Sequence, residues 1–165
     1  MADWTPPKTW YPNNIVTAAE MNTYIRDNTE YLKKPAPAVA TVSGKSSNYS
    51  TTSTSFVKVS SDFDLSITTS GEAVLVWFIG VTGDTTAGAY WDIWVDGSQV
   101  TPGGGFAFTK PQTSQTTLVW VLTGLSAGAH TIELYWKTNI SSYPITLHVD
   151  TSGSNAAQFG AAVLS

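Results

Sequence analysis

The sequence predicts a mainly β protein: a short N-terminal arm and one α-helix, followed by an antiparallel β-sandwich, most simply a jelly roll. Three observations carry that expectation. Beyond residue 38, apolar and polar residues alternate with a period of two, as they do in half-buried strands. Turn chemistry built on Gly with Ser, Pro or Asp punctuates those segments at short intervals. Charged residues make up only 12% of the 165-residue chain while hydrophobic residues make up 42%, against a usual charged share of about 25%. Disorder needs the opposite balance, and Ser and Thr supply the missing polarity.

Residues 1–16 read as an extended arm rich in Trp and Pro, with no core of its own. A helix is expected over 17–34. Thr17-Ala18-Ala19-Glu20 has the form of a capping box, in which the Thr hydroxyl accepts an orphan N–H and the Glu carboxylate reaches back. Met21, Ile25, Asn28 and Leu32 then recur at spacings of four, three and four, a narrow seam flanked by Tyr24 and Tyr31. About four turns of helix are marginal alone in water. Either the helix lies across the β domain or it packs on copies of itself. The narrow seam and the Asn within it, a residue that fixes register in helical bundles, favour the second. Lys33-Lys34-Pro35-Ala36-Pro37 closes the helix: lysines suit its negative end, and prolines cannot continue it. Residues 35–37 form a stiff linker to a head domain over 38–165.

Within the head, Val57–Val59 and Phe63–Leu65–Ile67 alternate as strands, with Ser43 to Ser55 as a long loop or an edge. Val74 to Val81 is apolar on both faces, which suits a central strand covered on both sides or a surface between subunits. Tyr90 to Val95 ends in Asp96-Gly97, a hairpin signal when Gln99-Val100 follows. Leu118–Leu122, Ile132–Trp136, Ile145–Val149 and Phe159–Leu164 complete eight or nine strands. Alternation assigns Trp77, Trp120 and Trp136 to the core. It also sets Trp91, Ile93 and Val95 on one face of their strand and Tyr90, Asp92 and Trp94 on the other. That second set, flat rings beside a carboxylate, suits a sugar ring or a subunit contact, and Tyr135 is a further outward ring of the same kind.

Enzyme chemistry is not expected. The chain has no Cys, which removes thiolate ligands, thiol nucleophiles and disulfides together. Its histidines are His130 and His148 and its one arginine is Arg26. No Gly-x-Ser-x-Gly elbow accompanies them. His148 and Asp150 share a strand face, but two ligands fall short of a metal site. Asp62, Asp64, Asp92 and Glu133 occupy outward strand positions where acidic residues ordinarily meet water, so no catalytic carboxylate pair is assigned. Gly103-Gly104-Gly105 lacks the Lys-Ser/Thr of a phosphate loop. No catalytic residue, metal or cofactor is therefore expected.

The net charge of −4 and the scattered basic residues leave no phosphate-tracking stripe, so no nucleic-acid partner is expected. The longest apolar run, Ala73 to Val81, is far shorter than the roughly 20 residues of a membrane-crossing helix, and no membrane insertion is expected. The start Met1-Ala2-Asp3-Trp4 has neither a basic region nor an apolar core, so the expectation is synthesis in the cytoplasm without a secretory signal.

Two strings resemble known proteins. Trp4-Thr5-Pro6-Pro7-Lys8-Thr9-Trp10, followed by Ile15-Val16-Thr17-Ala18-Ala19-Glu20-Met21-Asn22-Thr23-Tyr24-Ile25-Arg26-Asp27-Asn28, resembles the opening of tailed-bacteriophage virion proteins of the minor tail and tail-fibre type. Tyr11-Pro12-Asn13-Asn14 stands where Gly-Glu is often found in them. Ser126-Ala127-Gly128-Ala129-His130-Thr131-Ile132-Glu133-Leu134-Tyr135-Trp136 is similar to a strand of phage and spore-surface jelly-roll heads. The resemblance implies a virion appendage: an arm anchored in another virion protein through Trp4, Pro6, Pro7 and Trp10, a trimeric helix built on Met21, Ile25, Asn28 and Leu32, and a trimeric head. Tyr90, Asp92, Trp94 and Tyr135 would then meet a host-surface glycan or a neighbouring subunit. A capsid decoration protein without a receptor role and a monomeric carbohydrate-binding module are the alternative readings.

Overall fold

The computed structural model describes residues 5–6, 8–29, 37–83, 86–101, 105, 107–109, 113–150 and 156–164. The chain divides into two compact units, Met1–Pro35 and Ala36–Ser165. Trp4, Pro7 and Leu32, and the helix stop at 33–36, lie outside the described residues.

In the first unit the capping box forms as expected. The Glu20 N–H donates to Thr17 Oγ1 at 3.2 Å, and Glu20 Oε2 accepts from the Thr17 N–H at 2.9 Å. Helix α1 (Ala18–Met21) begins there, but it continues as a π-helix over Asn22–Asp27. A π-helix turns fewer degrees per residue than an α-helix, so the seam drawn at α-helical spacing is broken. Met21 and Ile25 are exposed, whereas Asn28 comes round to a buried position. Its amide pairs within the chain: Oδ1 accepts from the Thr5 N–H at 3.0 Å, and Nδ2 donates to the Thr5 carbonyl at 2.9 Å.

The arm reverses to make that pair. Tyr11-Pro12-Asn13-Asn14 is a tight turn, closed by a 3.1 Å bond from the Asn14 N–H to the Tyr11 carbonyl, with Asn13 at φ 71°. Pro at the second position and a left-handed Asn at the third suit such a turn. The Lys8 ammonium pairs with Glu20 and lies 4.9 Å from the centre of the Trp10 ring, and Trp10 meets Tyr24 edge-on at 6.2 Å. The arm is thus folded back on its own helix.

The second unit contains two antiparallel six-stranded sheets among the described residues. Strands β1 (Ala38–Ser43), β2 (Tyr49–Thr51), β5 (Val74–Gly83), β9 (Ser114–Leu122), β11 (Ile145–His148) and β12 (Ala156–Val163) form sheet I. Strands β3 (Val57–Lys58), β4 (Leu65–Thr69), β6 (Ala89–Val95), β7 (Ser98–Gln99), β8 (Ala107–Thr109) and β10 (Gly128–Thr138) form sheet II. Strand β5 is central in sheet I, with β11 and β12 on one side and β9 on the other. Strand β10 is central in sheet II, between β6 on one side and β3 and β4 on the other. Successive strands β4, β5 and β6, then β9, β10 and β11, alternate between the sheets. Strand β2 makes part of the Ser/Thr-rich stretch an edge, one of the two readings expected for it, and β8 arises where no strand was expected.

The core lies between the inner faces, and alternation builds it. Val74, Val76 and Phe78 of β5 and Phe159 and Ala161 of β12 oppose Trp91 and Ile93 of β6 and Ile132, Leu134 and Trp136 of β10, all buried. Phe78 stacks on Trp91 at 4.8 Å across the sheets, and Trp91 leans on Trp136 at 5.4 Å. Trp136 joins the core and Trp120 packs partly against it, as alternation requires. Trp77 does not. It falls on the other parity of β5 and lies outward, where a Cβ at its cross-strand neighbour Gly160 would sit 2.1 Å from the indole. The glycine leaves the ring a seat on the outside of the sheet.

Candidate functional site

The outer face of sheet II gathers the aromatic residues singled out in the sequence. Register places Tyr90 beside Lys137, Asp92 beside Tyr135 and Trp94 beside Glu133, all pointing away from the core. Strand β8 adds Phe108 beside Tyr90, and strand β3 adds Lys58 beside Tyr135. Trp94 and Tyr135 stack nearly parallel, 4.2 Å apart at 8°. Burial, and then the negative charge of Glu133, push the Tyr135 phenol above its ordinary pKa.

Asp92 corrects the sequence reading. Its carboxylate is fully buried and spoken for. Oδ1 accepts from the Ile93 N–H at 2.9 Å and from the Thr101 hydroxyl, and Oδ2 accepts from Gln99 Nε2 at 2.5 Å and from the Trp94 indole N–H at 3.3 Å. Four donors fill a carboxylate's accepting capacity. Asp92 therefore fixes the hairpin that follows β6 and orients Trp94; it has no lone pair left for a ligand hydroxyl. Sequence patterning placed it on the outward face but did not reveal that β7 and Thr101 fold over it.

The hairpin itself turns on Asp96 at φ 51° and Gly97 at φ 73°, the left-handed pair that a two-residue β-turn needs. Glu133 accepts from the Gly97 N–H at 3.1 Å and pairs with Lys58 at 2.6 Å. Asp64 also pairs with Lys58, at 2.9 Å. Burial works against the Lys58 charge, but bonds to Asp64 and Glu133 outweigh it and raise its pKa. At the strand's start His130 bonds Asp96 Oδ2 through Nδ1 at 2.7 Å and the Ser126 carbonyl through Nε2 at 2.9 Å.

The remaining candidates disperse. Asp62 pairs with Lys45 at 2.8 Å while Asp64 pairs with Lys58, so the two carboxylates do not converge. Asn48 links to Asp150 at 2.9 Å and reaches His148 at 3.5 Å, bracing a loop rather than opening a ligand cage. Among the described residues, no group of three or more acidic, His or Cys side chains is placed to hold a metal ion. No described helix is long and apolar enough to cross a membrane. A shallow cleft of about 370 Å³ lies elsewhere, lined by Val100 and residues 120–125.

Sequence reasoning missed one feature and left a second as one of two alternatives. At one end of the outer face of sheet II, Phe56 and Phe108 flank Tyr90 and Lys137; neither phenylalanine stands out by spacing, because each sits in a short segment. On the outside of sheet I, the outward positions of β1, β5, β9 and β12 carry no charged side chain, and Val39, Val119 and Val121 there are 47%, 60% and 46% exposed. The apolar run Val74–Val81 was the signal for this second surface, and the subunit-contact alternative named it.

Comparison with known protein families gives no match, and comparison with curated proteins gives none either.

Proposed function

We propose that this chain is a structural appendage of a tailed-phage virion, of the minor tail or fibre type. In this reading it is a homotrimer, anchored to other virion proteins through residues 1–16, whose β-sandwich heads contact host-surface glycans. The observation that carries the reading is the outside of sheet I. A face of Val39, Leu75, Trp77, Val119, Val121 and Ala162, without one charge, is a poor surface to leave in water and a good one to set against copies of the same chain. Exposed Met21 and Ile25 give the first unit a second apolar surface that copies would cover. The resemblance of residues 4–28 to phage virion proteins supplies the biological setting. The alternation of successive strands between sheets supports a jelly-roll head.

Trp10, 42% exposed, and exposed Pro6 remain available for anchoring in this reading, with the arm's fold-back on α1 setting their presentation. Asn28 acts as the latch of that fold-back and not as a polar group between protomers.

Light scattering across dilution tests the assembly. A trimer has about 53 kDa, three times 17.6 kDa, and closed symmetric assembly predicts that value at all but the lowest concentrations. A constant 17.6 kDa overturns the trimer and favours a monomeric carbohydrate-binding module, the reading supported by the ring-lined face of sheet II. Removing residues 1–16 abolishes incorporation into virions if the arm is the anchor; unchanged incorporation overturns it. A protein found on capsids and not on tails would be a decoration protein built the same way.

A further inference from the structure

We propose that the end of the outer sheet II face formed by Phe56, Tyr90, Phe108 and Lys137 binds a saccharide carrying a carboxylate. The inference rests on the reading that the head meets glycans, and it names their chemical class and the place where they bind.

The argument begins with charge pairing. Lys8, Lys45 and Lys58 each have a carboxylate partner within the chain. Lys137 has none among the described residues. Its ammonium lies 4.4 Å from the centre of the Phe56 ring and 5.2 Å from that of Tyr90. Ring faces attract the cation and hold it in place, but they do not accept its N–H bonds as an oxygen does. An ammonium so placed is positioned by the rings and, among the described residues, has no carboxylate to neutralise it.

The rings around it are seated by the backbone. Tyr90 and Phe108 pack at 4.7 Å with a 41° tilt. A Cβ at Gly88 would sit 2.5 Å from the Phe108 ring, and a Cβ at Gly105 would sit 2.7 Å from the Phe56 ring. Two glycines thus let two phenylalanines settle against the main chain on either side of Lys137, and Gly105 also needs its glycine for φ 84°. Phe108 nonetheless stays 45% exposed. The Tyr90 hydroxyl has no hydrogen-bond partner among the described residues.

A pyranose offers a flat C–H face to such rings, and its ring substituents extend toward groups at the edge. A neutral sugar would use the rings and leave the ammonium unanswered. A uronic-acid carboxylate would take charge-assisted bonds from Lys137 and a further bond from the Tyr90 hydroxyl. The Trp94–Tyr135 pair is a poorer candidate, because Asp92 beside it is saturated and Lys58 beside it is already paired with Asp64 and Glu133.

The test uses the full chain, α-1,4-trigalacturonate as the probe, and its trimethyl ester as the neutral match. Binding is followed by aromatic proton shifts of Tyr90 and Phe108 and by calorimetry. The acid is expected to bind at least about tenfold more tightly than the ester, with the difference removed by Lys137→Gln. Phe108→Ala weakens both probes by about tenfold through lost stacking. Melting curves show that each variant is folded. Equal binding of acid and ester, unmoved by Lys137→Gln, overturns the acidic class while leaving the glycan reading intact. Acetate producing the same shifts as the trisaccharide at equal concentration also overturns it, since only an anion would then be recognised. If neither probe binds, the inference fails; a neutral panel of maltotriose and N-acetyllactosamine then decides the wider reading, which survives only if one of them binds.

Discussion

The two sheets obey the same alternation and present opposite outsides. Sheet I buries Val74, Val76 and Phe78 and turns out Leu75, Trp77, Val119 and Val121 among polar but uncharged residues such as Thr41, Thr117 and Gln158. Sheet II buries Trp91, Ile93 and Leu134 and turns out residues that are fastened to one another: a saturated Asp92, Lys58 between two carboxylates, and stacked Trp94 and Tyr135. Alternation decides which side chain points inward. It does not decide whether the outward ones are finished. An outward residue whose bonds are all made within the chain is finished, as Asp92 is. An outward apolar residue that nothing covers, as Val119 is at 60% exposure, is open to another surface.

Substitutions at the two faces should therefore separate folding from assembly. The largest effect on stability is expected at Asp92. Asp92→Ala leaves the Ile93 N–H, the Trp94 indole, Gln99 and Thr101 without their acceptor in a buried place. A loss of about 3 kcal/mol is expected in urea unfolding, with an unchanged slope. A loss below 1 kcal/mol would mean that the hairpin holds without its hub, and the distinction between finished and unfinished faces would weaken. Gly160→Ala is expected to come next. The new methyl displaces the Trp77 indole from its seat, costing about 1–2 kcal/mol as overpacking does. Val119→Lys sharpens the comparison from the other side. At 60% exposure it should change the stability of a single chain by less than about 0.5 kcal/mol. The same lysine set against a charge-free face should still lower the solution mass to that of one chain. A trimer that tolerated Val119→Lys would place its interface elsewhere.

These contrasts also mark what could be read from the residues alone. The sandwich, the inward set on β6 and β10, the capping box and the Asp96-Gly97 hairpin all follow from local rules, and each was legible. Strand β2 was less so, because three residues inside a Ser/Thr-rich stretch carry no periodic signal. Alternation assigned Trp77 to the core and could not do better, because Leu75 and Ile79 on its face are as apolar as Val74 and Val76 on the inner one. The π-helix was not legible: Asn22–Asp27 has no feature that α-helical spacing forbids, and only the pairing of Asn28 with Thr5 explains where the seam goes. The Lys137 cradle depends on Phe56, Gly88, Gly105 and Phe108 meeting from separate segments, which no short motif encodes.

The smallest effects are expected where ionisation, and not burial, holds the structure. In the first unit, Lys8 and then the Thr17 N–H hold the Glu20 carboxyl down to about 2. Its contribution is present above the ordinary carboxylate range and is lost as the pH falls toward 2, so the start of α1 should fray only in strong acid. Amide exchange at residues 18–21 measures this, and Lys8→Met should move the fraying to higher pH. In the second unit the His130 ring faces two oxygen acceptors, which only the protonated ring can serve with both nitrogens. The Ser126 carbonyl, and then Asp96, raise its pKa above 6.5; the Thr131 N–H, and then His130, lower that of Asp96 below 3.8. The signs are opposite. The histidine's contribution is whole below pH 6.5 and is lost as the pH climbs through its raised value. The aspartate's is whole above pH 3.8 and is lost as the pH drops through its lowered one. Melting temperature should therefore be flat between those limits and fall on the alkaline side. His130→Asn should remove the alkaline fall and leave the acid side nearly unchanged, because the Thr131 N–H still holds Asp96 at 2.8 Å. An alkaline fall that survived in His130→Asn would belong to another group and would leave the hairpin tip indifferent to the charge of His130.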